Sequence, residues 1–376
     1  MRSRGRDGPR RLRQRRAAAL PDPDSRRAVT EPIRWTDPAR ADAFAAWLAA
    51  LPPALGLQPT SLRAASADAS FRRYLRLDAT AGTRIVMDAP PAHEDCRPFV
   101  QIATLLRGAG LLAPEVLHWD EAHGFMLLTD LGATTYLDAL TRPAARSAAE
   151  AAPLYGDALD ALVRLQRIDA RGRVPDYDRA LLQRELELFP AWYVERHCGR
   201  VLDDAARTQL DAAFATLLDV CTAQPAVLVH RDYHARNLMV TPAGPGLLDF
   251  QDAVHGPITY DLASLLRDAY IEWDEEVQLD WAVRWWERAR KAGLPVADDF
   301  GAFWRDFEWM GLQRHLKVLG IFARLHHRDG KDGYLKDLPR VWRYAHRVAC
   351  RYRGLGPLAR LLEDLAGTQR EAGYTF

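Results

Sequence analysis

Cysteine is scarce in this chain: Cys96, Cys198, Cys221 and Cys350 stand far apart and form no C-x-x-C pair. That spacing argues against a disulfide framework or a zinc site and leaves reduced thiols that mostly pack. No uncharged apolar run reaches about 18 residues, and no apolar signal segment follows the start. A membrane span is therefore not expected, and the expected location is the cytoplasm. Several signatures of phosphate and acyl chemistry are also missing. Gly330-Lys331 has no Gly five positions earlier and is followed by Asp332, so it is not a G-x-x-x-x-G-K-[ST] loop. The run Gly108, Gly110, Ala113 matches G-x-G-x-x-A in letters but follows a helical pattern rather than a strand, which sets a dehydrogenase aside. There is no G-x-S-x-G elbow for a hydrolase, and no repeat at a fixed period.

What is present is a chain of 376 residues, 48% hydrophobic, long enough to bury at least one full core. Its net charge of +1 hides a division: residues 1–27 carry 10 Arg and 3 Asp, leaving 41 basic against 47 acidic residues elsewhere. The basic start has neither interleaved aromatics nor a helical apolar face. Residues 1–30 thus read as a disordered Arg-rich tail rather than a nucleic-acid or membrane arm. Translation of the natural chain could begin at Val29, just before the first ordered-looking segment.

Asp37-Pro38 is a helix-start signal, and Phe44, Trp47, Leu48 and Leu51 follow at helical spacing. From Ser61 to Met87 the texture is β, with FRRYLRL and RIVM as strands around the turn-like DATAGT. A helix from Arg97 to Leu106 and the strands EVLHW and GFMLLT complete a small sheet with one helix. Beyond Asp130 the pattern is helical, near 146–168, 178–197 and 202–223, broken once by a β-like stretch at 227–248. The chain therefore reads as α+β: a small N-terminal lobe, residues 31–129, and a large mainly helical lobe, residues 130–376, joined near 129–132.

The chemistry lies in VLVHRDYHARNLMV, residues 227–240. His230-Arg231-Asp232 precedes Asn237 with the spacing of the kinase catalytic loop, H-R-D-x-x-x-x-N. A carboxylate there can take the proton of an acceptor hydroxyl, and an amide oxygen is a hard ligand for Mg²⁺. Asp249-Phe250-Gln251 follows 12 positions after Asn237, where kinases place the metal-binding aspartate of D-F-G. These residues predict a two-lobed, protein-kinase-like fold with Asp232 as catalytic base, Asn237 and Asp249 on the metal, and His230 bracing the loop.

With these motifs the chain resembles the aminoglycoside phosphotransferase-like kinases over residues 35–345. The runs SADASFRRYLRL, IVMDAPPAHEDCRPFV, FMLLTDLGATTYLD and LLDFQDAVHGPITYDLASLLRDAYIEW are most similar to their amino-sugar branch in bacterial cell-wall recycling. The resemblance implies transfer from ATP, with Mg²⁺, to the anomeric hydroxyl of N-acetylmuramate or N-acetylglucosamine. No nucleic-acid or membrane partner is expected, and a monomer is the expected state. The resemblance makes Asp261 the acid that braces the catalytic loop. Residues 66–73 become the loop over the phosphates, with Ser66, Ala67, Asp68, Ala69, Ser70, Arg72 and Arg73 as contacts, and 127–130 the hinge facing adenine, through Leu128 and Asp130.

Two departures stand out. Met87 occupies the place of the usual strand lysine, with no clear Glu partner in the next helix, and the phosphate loop contains no glycine. For the acceptor, Arg231, Gln251, Asp252, His255, Arg267, Asp268 and Tyr270 are the expected contacts. Arg314, His315 and Arg324 in a later helical stretch are possible partners for a lactyl carboxylate. A kinase for another hydroxyl compound, such as an aminoglycoside or choline, and a silent pseudokinase are the competing readings. The intact Asp232, Asn237 and Asp249 disfavour the latter, and the mixture of Arg, His and aromatics favours a neutral or anionic acceptor.

Overall fold

The structure, a computed structural model, describes residues 33–35, 37–67 and 72–370. The expected Arg-rich tail and the loop residues Asp68, Ala69 and Ser70 lie outside the described residues.

Helix α1 (Pro38–Ala50) starts as its sequence signal predicts: the Asp37 carboxylate accepts the N–H of Ala39 at 2.9 Å, with Pro38 at the first helical position. Five strands follow, β1 (Leu57–Ala67), β2 (Arg73–Ala79), β3 (Gly82–Asp88), β4 (Val116–Asp120) and β5 (Phe125–Thr129), with α2 (Arg97–Gly108) between β3 and β4. They form one antiparallel sheet in the order β1-β2-β3-β5-β4.

Because side chains alternate along a strand, each strand serves two cores. Val86, Phe125 and Leu127 face Phe44, Trp47 and Leu48 of α1, while Met87, Met126 and Leu128 face Phe99, Ile102 and Leu106 of α2. The leading helix thus covers the face of the sheet opposite α2, and the small lobe is a three-layer unit. β1 was not evident as a separate strand because its RAASA stretch holds small residues rather than β-branched ones.

The second lobe contains α3 (Tyr136–Thr141), α4 (Ala148–Gln166), α5 (Arg179–Leu186), a π-helical segment (Phe189–His197) and α6 (Asp204–Ala223). Next come two ribbons built from β6 (Ala226–Val229), β7 (Leu238–Thr241), β8 (Gly244–Leu247) and β9 (Val254–Pro257). β6 pairs with β9 and β7 with β8. The helices α7 (Tyr260–Leu266), α8 (Glu275–Lys291), α9 (Phe300–His327), α10 (Leu338–Arg351) and α11 (Gly356–Arg370) complete the lobe.

α9 runs through its centre, buried from Phe307 to Gly320. Close approach requires glycine at Gly320, where a Cβ would lie 2.3 Å from the backbone carbon of Leu188. The lobes meet where the N–H of Leu247 in β8 donates to the Leu112 carbonyl at 2.7 Å and the Phe99 ring of α2 lies tilted against Phe250 at 4.9 Å. The helix before the cleft is therefore tied to the segment that carries Asp249.

Candidate active site

The apolar triplets on either side of residues 230–237 form β6 and β7, so the polar stretch between them becomes a loop at their ends. Its backbone is held by two carboxylates. Asp261, in the first turn of α7 and fully buried, accepts the N–H groups of His230 at 2.6 Å and Arg231 at 3.0 Å. Burial pushes its carboxyl up to about 7, against the opposing pull of those two donors. Asp268 accepts the N–H of Ala235 at 3.0 Å. Within the loop the N–H of His234 donates to the Asp232 carbonyl at 3.0 Å, and that of Asn237 to the His234 carbonyl at 2.9 Å. His230 is enclosed, burial pushes its imidazole down to about 4, and its ring nitrogens have no hydrogen-bond partner among the described residues. It packs edge-on to Tyr233 at 5.7 Å as a neutral ring.

Folding brings Asn237 and Asp249 together. The Asn237 Nδ2 donates to the Asp232 carbonyl at 3.1 Å and lies 3.4 Å from Asp249 Oδ2, while Gln251 Nε2 donates to Asp249 Oδ1 at 2.7 Å. Among the described non-glycine residues, positive φ occurs at Arg231 (74°) and Asp249 (62°). Such backbone is costly for a residue with a Cβ and gathers at functional sites. An amide and a carboxylate converging from two loops supply hard oxygen donors of the kind a divalent cation takes, so the donor set fits one.

Asp232 lies beside this pair with its side chain 45% exposed. Desolvation raises its carboxyl, but His234, Lys317, Arg314 and Arg231 outweigh that and hold it below the usual carboxylate value. Two of these cations share one anchor. Glu185 of α5 accepts Arg231 Nη2 at 2.6 Å and Lys317 Nζ at 2.7 Å, and also the Tyr177 hydroxyl. Lys317 stays charged despite its burial because Tyr260 and Glu185 favour the ammonium. Glu185 and Lys317 were not foreseen from sequence, since they lie far from the loop on two helices. The signal available was the set of polar residues inside the otherwise apolar run of α9.

Gln251, Asp252, His255, Tyr270 and Arg231 surround the loop. The Asp252 carbonyl accepts from Arg231 Nη1 at 3.3 Å, and His255 Nδ1 lies 3.3 Å from Asp176. The Tyr270 ring sits 5.5 Å from His234, beneath the Arg236 guanidinium at 4.7 Å.

Two expected acceptor contacts are corrected. Arg267 is 1% exposed and faces the helical core, 2.9 Å from the enclosed Glu308 and over the Phe307 ring at 4.9 Å. Asp268 is equally enclosed, with its oxygens used by the N–H groups of Ala235 and Tyr270. Both residues support the site from behind. His315 likewise points away, to the Arg267 carbonyl at 3.0 Å.

Glu308 also accepts from Arg351 at 2.5 Å and from the Tyr352 hydroxyl at 2.6 Å. Glu308→Ala would remove the nearest carboxylate from the buried Arg267, leaving Gln278 at 3.1 Å and Glu275 at 4.0 Å, and urea unfolding is expected to show a loss of up to about 3–5 kcal/mol. A change under about 1 kcal/mol would mean that Arg267 finds water or another acceptor.

In the small lobe Ser66 and Ala67 pair with Tyr74 and Arg73 at the end of the β1–β2 ribbon. Arg72 is bound by Glu94 at 2.9 Å, an Arg–Glu pair with side chains 10% and 13% exposed. Glu94 stands in the turn before α2, and α2 itself has no acidic residue in its first turn. Arg73 donates to Asp88, which Arg40 also engages. Leu128 packs in the core, and the Asp130 carboxylate is taken up by Arg76 at 2.6 Å and Thr83 at 2.7 Å.

The sequence model of the phosphotransferase enzyme family matches residues 61–300. N-acetylmuramate/N-acetylglucosamine kinase of Neisseria meningitidis is 49% identical over 314 residues, covering 83% of this chain and 93% of the relative. The kinase of the same name from Pseudomonas aeruginosa is 45% identical over 337 residues, 88% of this chain and 98% of the relative. Among solved structures, a choline/ethanolamine kinase family protein from Mesorhizobium loti superposes with a TM-score of 0.54 at 16% identity, over 86% of this chain and 99% of that one. The GDP complex of an aminoglycoside 2'-phosphotransferase does so with 0.56 at 15%, over 80% and 97%. These two likenesses speak to the fold alone.

Proposed function

Because the chain belongs to the phosphotransferase enzyme family, we propose that it transfers the γ-phosphoryl group of ATP to an amino sugar, N-acetylmuramate or N-acetylglucosamine, at the anomeric hydroxyl. The observation that carries this reading is the convergence of Asp232, Asn237 and Asp249, in which the Asn237 amide spans the Asp232 carbonyl and the Asp249 carboxylate. The small lobe, ending at Thr129, would cover the nucleotide and the helical lobe would hold the acceptor.

In this reading Asp232 receives the acceptor hydroxyl and takes its proton as the new P–O bond forms and the bond from the γ-phosphorus to the β,γ-bridging oxygen breaks, releasing ADP. The surrounding cations keep that carboxylate ionised at neutral pH. Asn237 and Asp249 would hold Mg²⁺, which when bound neutralises charge on the nucleotide phosphates. Asp261 and Asp268 hold the loop so that Asp232 need not be ordered at the moment of reaction. Arg72, steadied by Glu94, is the proposed cation in place of the missing strand lysine. With the Asp130 carboxylate occupied, contact with the base falls to backbone groups of residues 127–130.

A cationic acceptor such as an aminoglycoside would meet Arg231, Lys317 and Arg314 beside the base, which disfavours that alternative. The test is a panel of sugars, aminoglycosides and choline with ATP and Mg²⁺, followed by ³¹P NMR. An anomeric phosphate on an N-acetylated amino sugar is expected, and phosphate on an aminoglycoside or choline alone would overturn the reading.

The base also predicts a pH effect. As pH falls through the depressed value of Asp232 the base is protonated and kcat/KM is lost. Removing a neighbouring cation raises that value, so Lys317→Gln should move the acid limb of the profile to higher pH. An acid limb that stays in place would separate Lys317 from the base.

A further inference from the structure

Arg314 on α9 is 3% exposed, and neither a hydrogen bond nor an ion pair accounts for its guanidinium among the described residues. Its Nη1 is enclosed without any partner. A buried charge left unmatched is expensive, and a guanidinium presents a planar fork suited to a carboxylate.

Its position follows from its neighbours one turn away on either side. Gly311 abuts Ala263 of α7, with 3.8 Å from an added Cβ to the Ala263 Cβ, and Lys317 Nζ reaches the hydroxyl of Tyr260, the first residue of α7, at 3.1 Å. Arg314 lies between them, level with Asp261 and the loop that Asp261 holds. Its charge acts on Asp232, Asp261 and His234. Both Asp261 oxygens already accept N–H groups. Arg231 and Lys317, the other Arg and Lys acting on Asp232, are both paired with Glu185. Arg314 is thus a cation beside the base that has no carboxylate of its own. It acts on the Asp232 and His234 part of the loop.

We infer that Arg314 binds the carboxylate of an anionic acceptor, pairing with the lactyl group that distinguishes N-acetylmuramate from N-acetylglucosamine. This rests on the kinase reading above and assigns the acceptor specificity of that site. Arg314 contacts the substituent; its loss also relieves part of the pull that lowers the Asp232 carboxyl, which affects both sugars alike, so the discrimination is read from the ratio between the two sugars.

The test compares kcat/KM for both sugars in the full chain and its Arg314→Gln and Arg314→Lys variants. It adds N-acetylmuramate amide, in which the carboxylate is neutral. In the unaltered protein the amide should be a worse substrate than the acid by about tenfold or more, chiefly through KM. In Arg314→Gln the ratio of N-acetylmuramate to N-acetylglucosamine should fall by a similar factor, acid and amide should become nearly equal, and Arg314→Lys should retain part of the preference.

Equal losses on both sugars would assign Arg314 to the phosphoryl group or to holding the loop and would overturn the inference. So would equal rates on acid and amide in the unaltered protein, a comparison that does not depend on any variant folding. An unaltered protein that phosphorylates neither sugar would instead refute the kinase reading itself, and this inference with it.

Discussion

Asp232→Asn is expected to lower turnover by about 10²–10⁴-fold while the fold and nucleotide affinity stay close to those of the unaltered protein. The substitution keeps the shape of the side chain and removes its capacity to take a proton. The loop is held by backbone bonds to Asp261 and Asp268 and by the Asn237 contact to the Asp232 carbonyl, none of which uses the Asp232 carboxylate. What changes locally is charge, because Lys317, Arg314 and Arg231 lose the negative partner that they jointly hold ionised. Glu185 still neutralises two of them, so collapse of the site is not expected. Single-turnover phosphoryl transfer measured beside calorimetric ATP binding separates the outcomes. Near-normal transfer would remove Asp232 from the mechanism, and a parallel loss of ATP affinity would make it a binding residue.

The second large effect concerns the proposed metal ligands. Asp249→Ala should cost several kcal/mol of transition-state stabilisation, on the order of a hundredfold to a thousandfold or more in rate. Asn237→Ala should cost less, since it retains the charged ligand and loses mainly affinity. Raising Mg²⁺ should therefore rescue Asn237→Ala in part and Asp249→Ala far less. Asp249→Ala has a second consequence within the protein, because Gln251 Nε2 loses its acceptor and Asn237 its partner across the two loops. The measurement is the rate of each variant against Mg²⁺ concentration. Curves that match the unaltered protein would show that neither residue binds the cation, and the reading of residues 230–251 would fail at its centre.

Much of the site was legible because its signal is local. The spacing of His230, Arg231, Asp232 and Asn237 is fixed by one short loop, and the flanking VLV and LMV triplets bury themselves as strands in any fold that keeps the loop at their ends. The two-lobed α+β plan followed from the change of apolar period near Asp130. β9 was hidden because a four-residue strand of Val, His, Gly and Pro has no alternation to read. The helix at the front was visible as a helix, but its partner was not: Phe44, Trp47 and Leu48 announce an apolar face, and only assembly shows that Val86, Phe125 and Leu127 meet it.

The composition of the loop and its candidate chemistry were therefore determined by sequence alone, since spacing along a chain is a property of the chain. Tertiary structure alone decided which charged side chains surround that loop and which are enclosed behind it. Arg267 and Asp268 follow Asp249 in sequence and look like acceptor contacts, yet α7 ends just before them and turns both inward, onto Glu308 and the N–H of Ala235. Lys317 and Arg314 of α9 come from far along the chain and act on Asp232, and Glu185 of α5 pairs with Arg231 and Lys317 beside it. The physical reason is that burial and Coulomb interaction depend on distance in space, whereas a motif records only distance along the backbone.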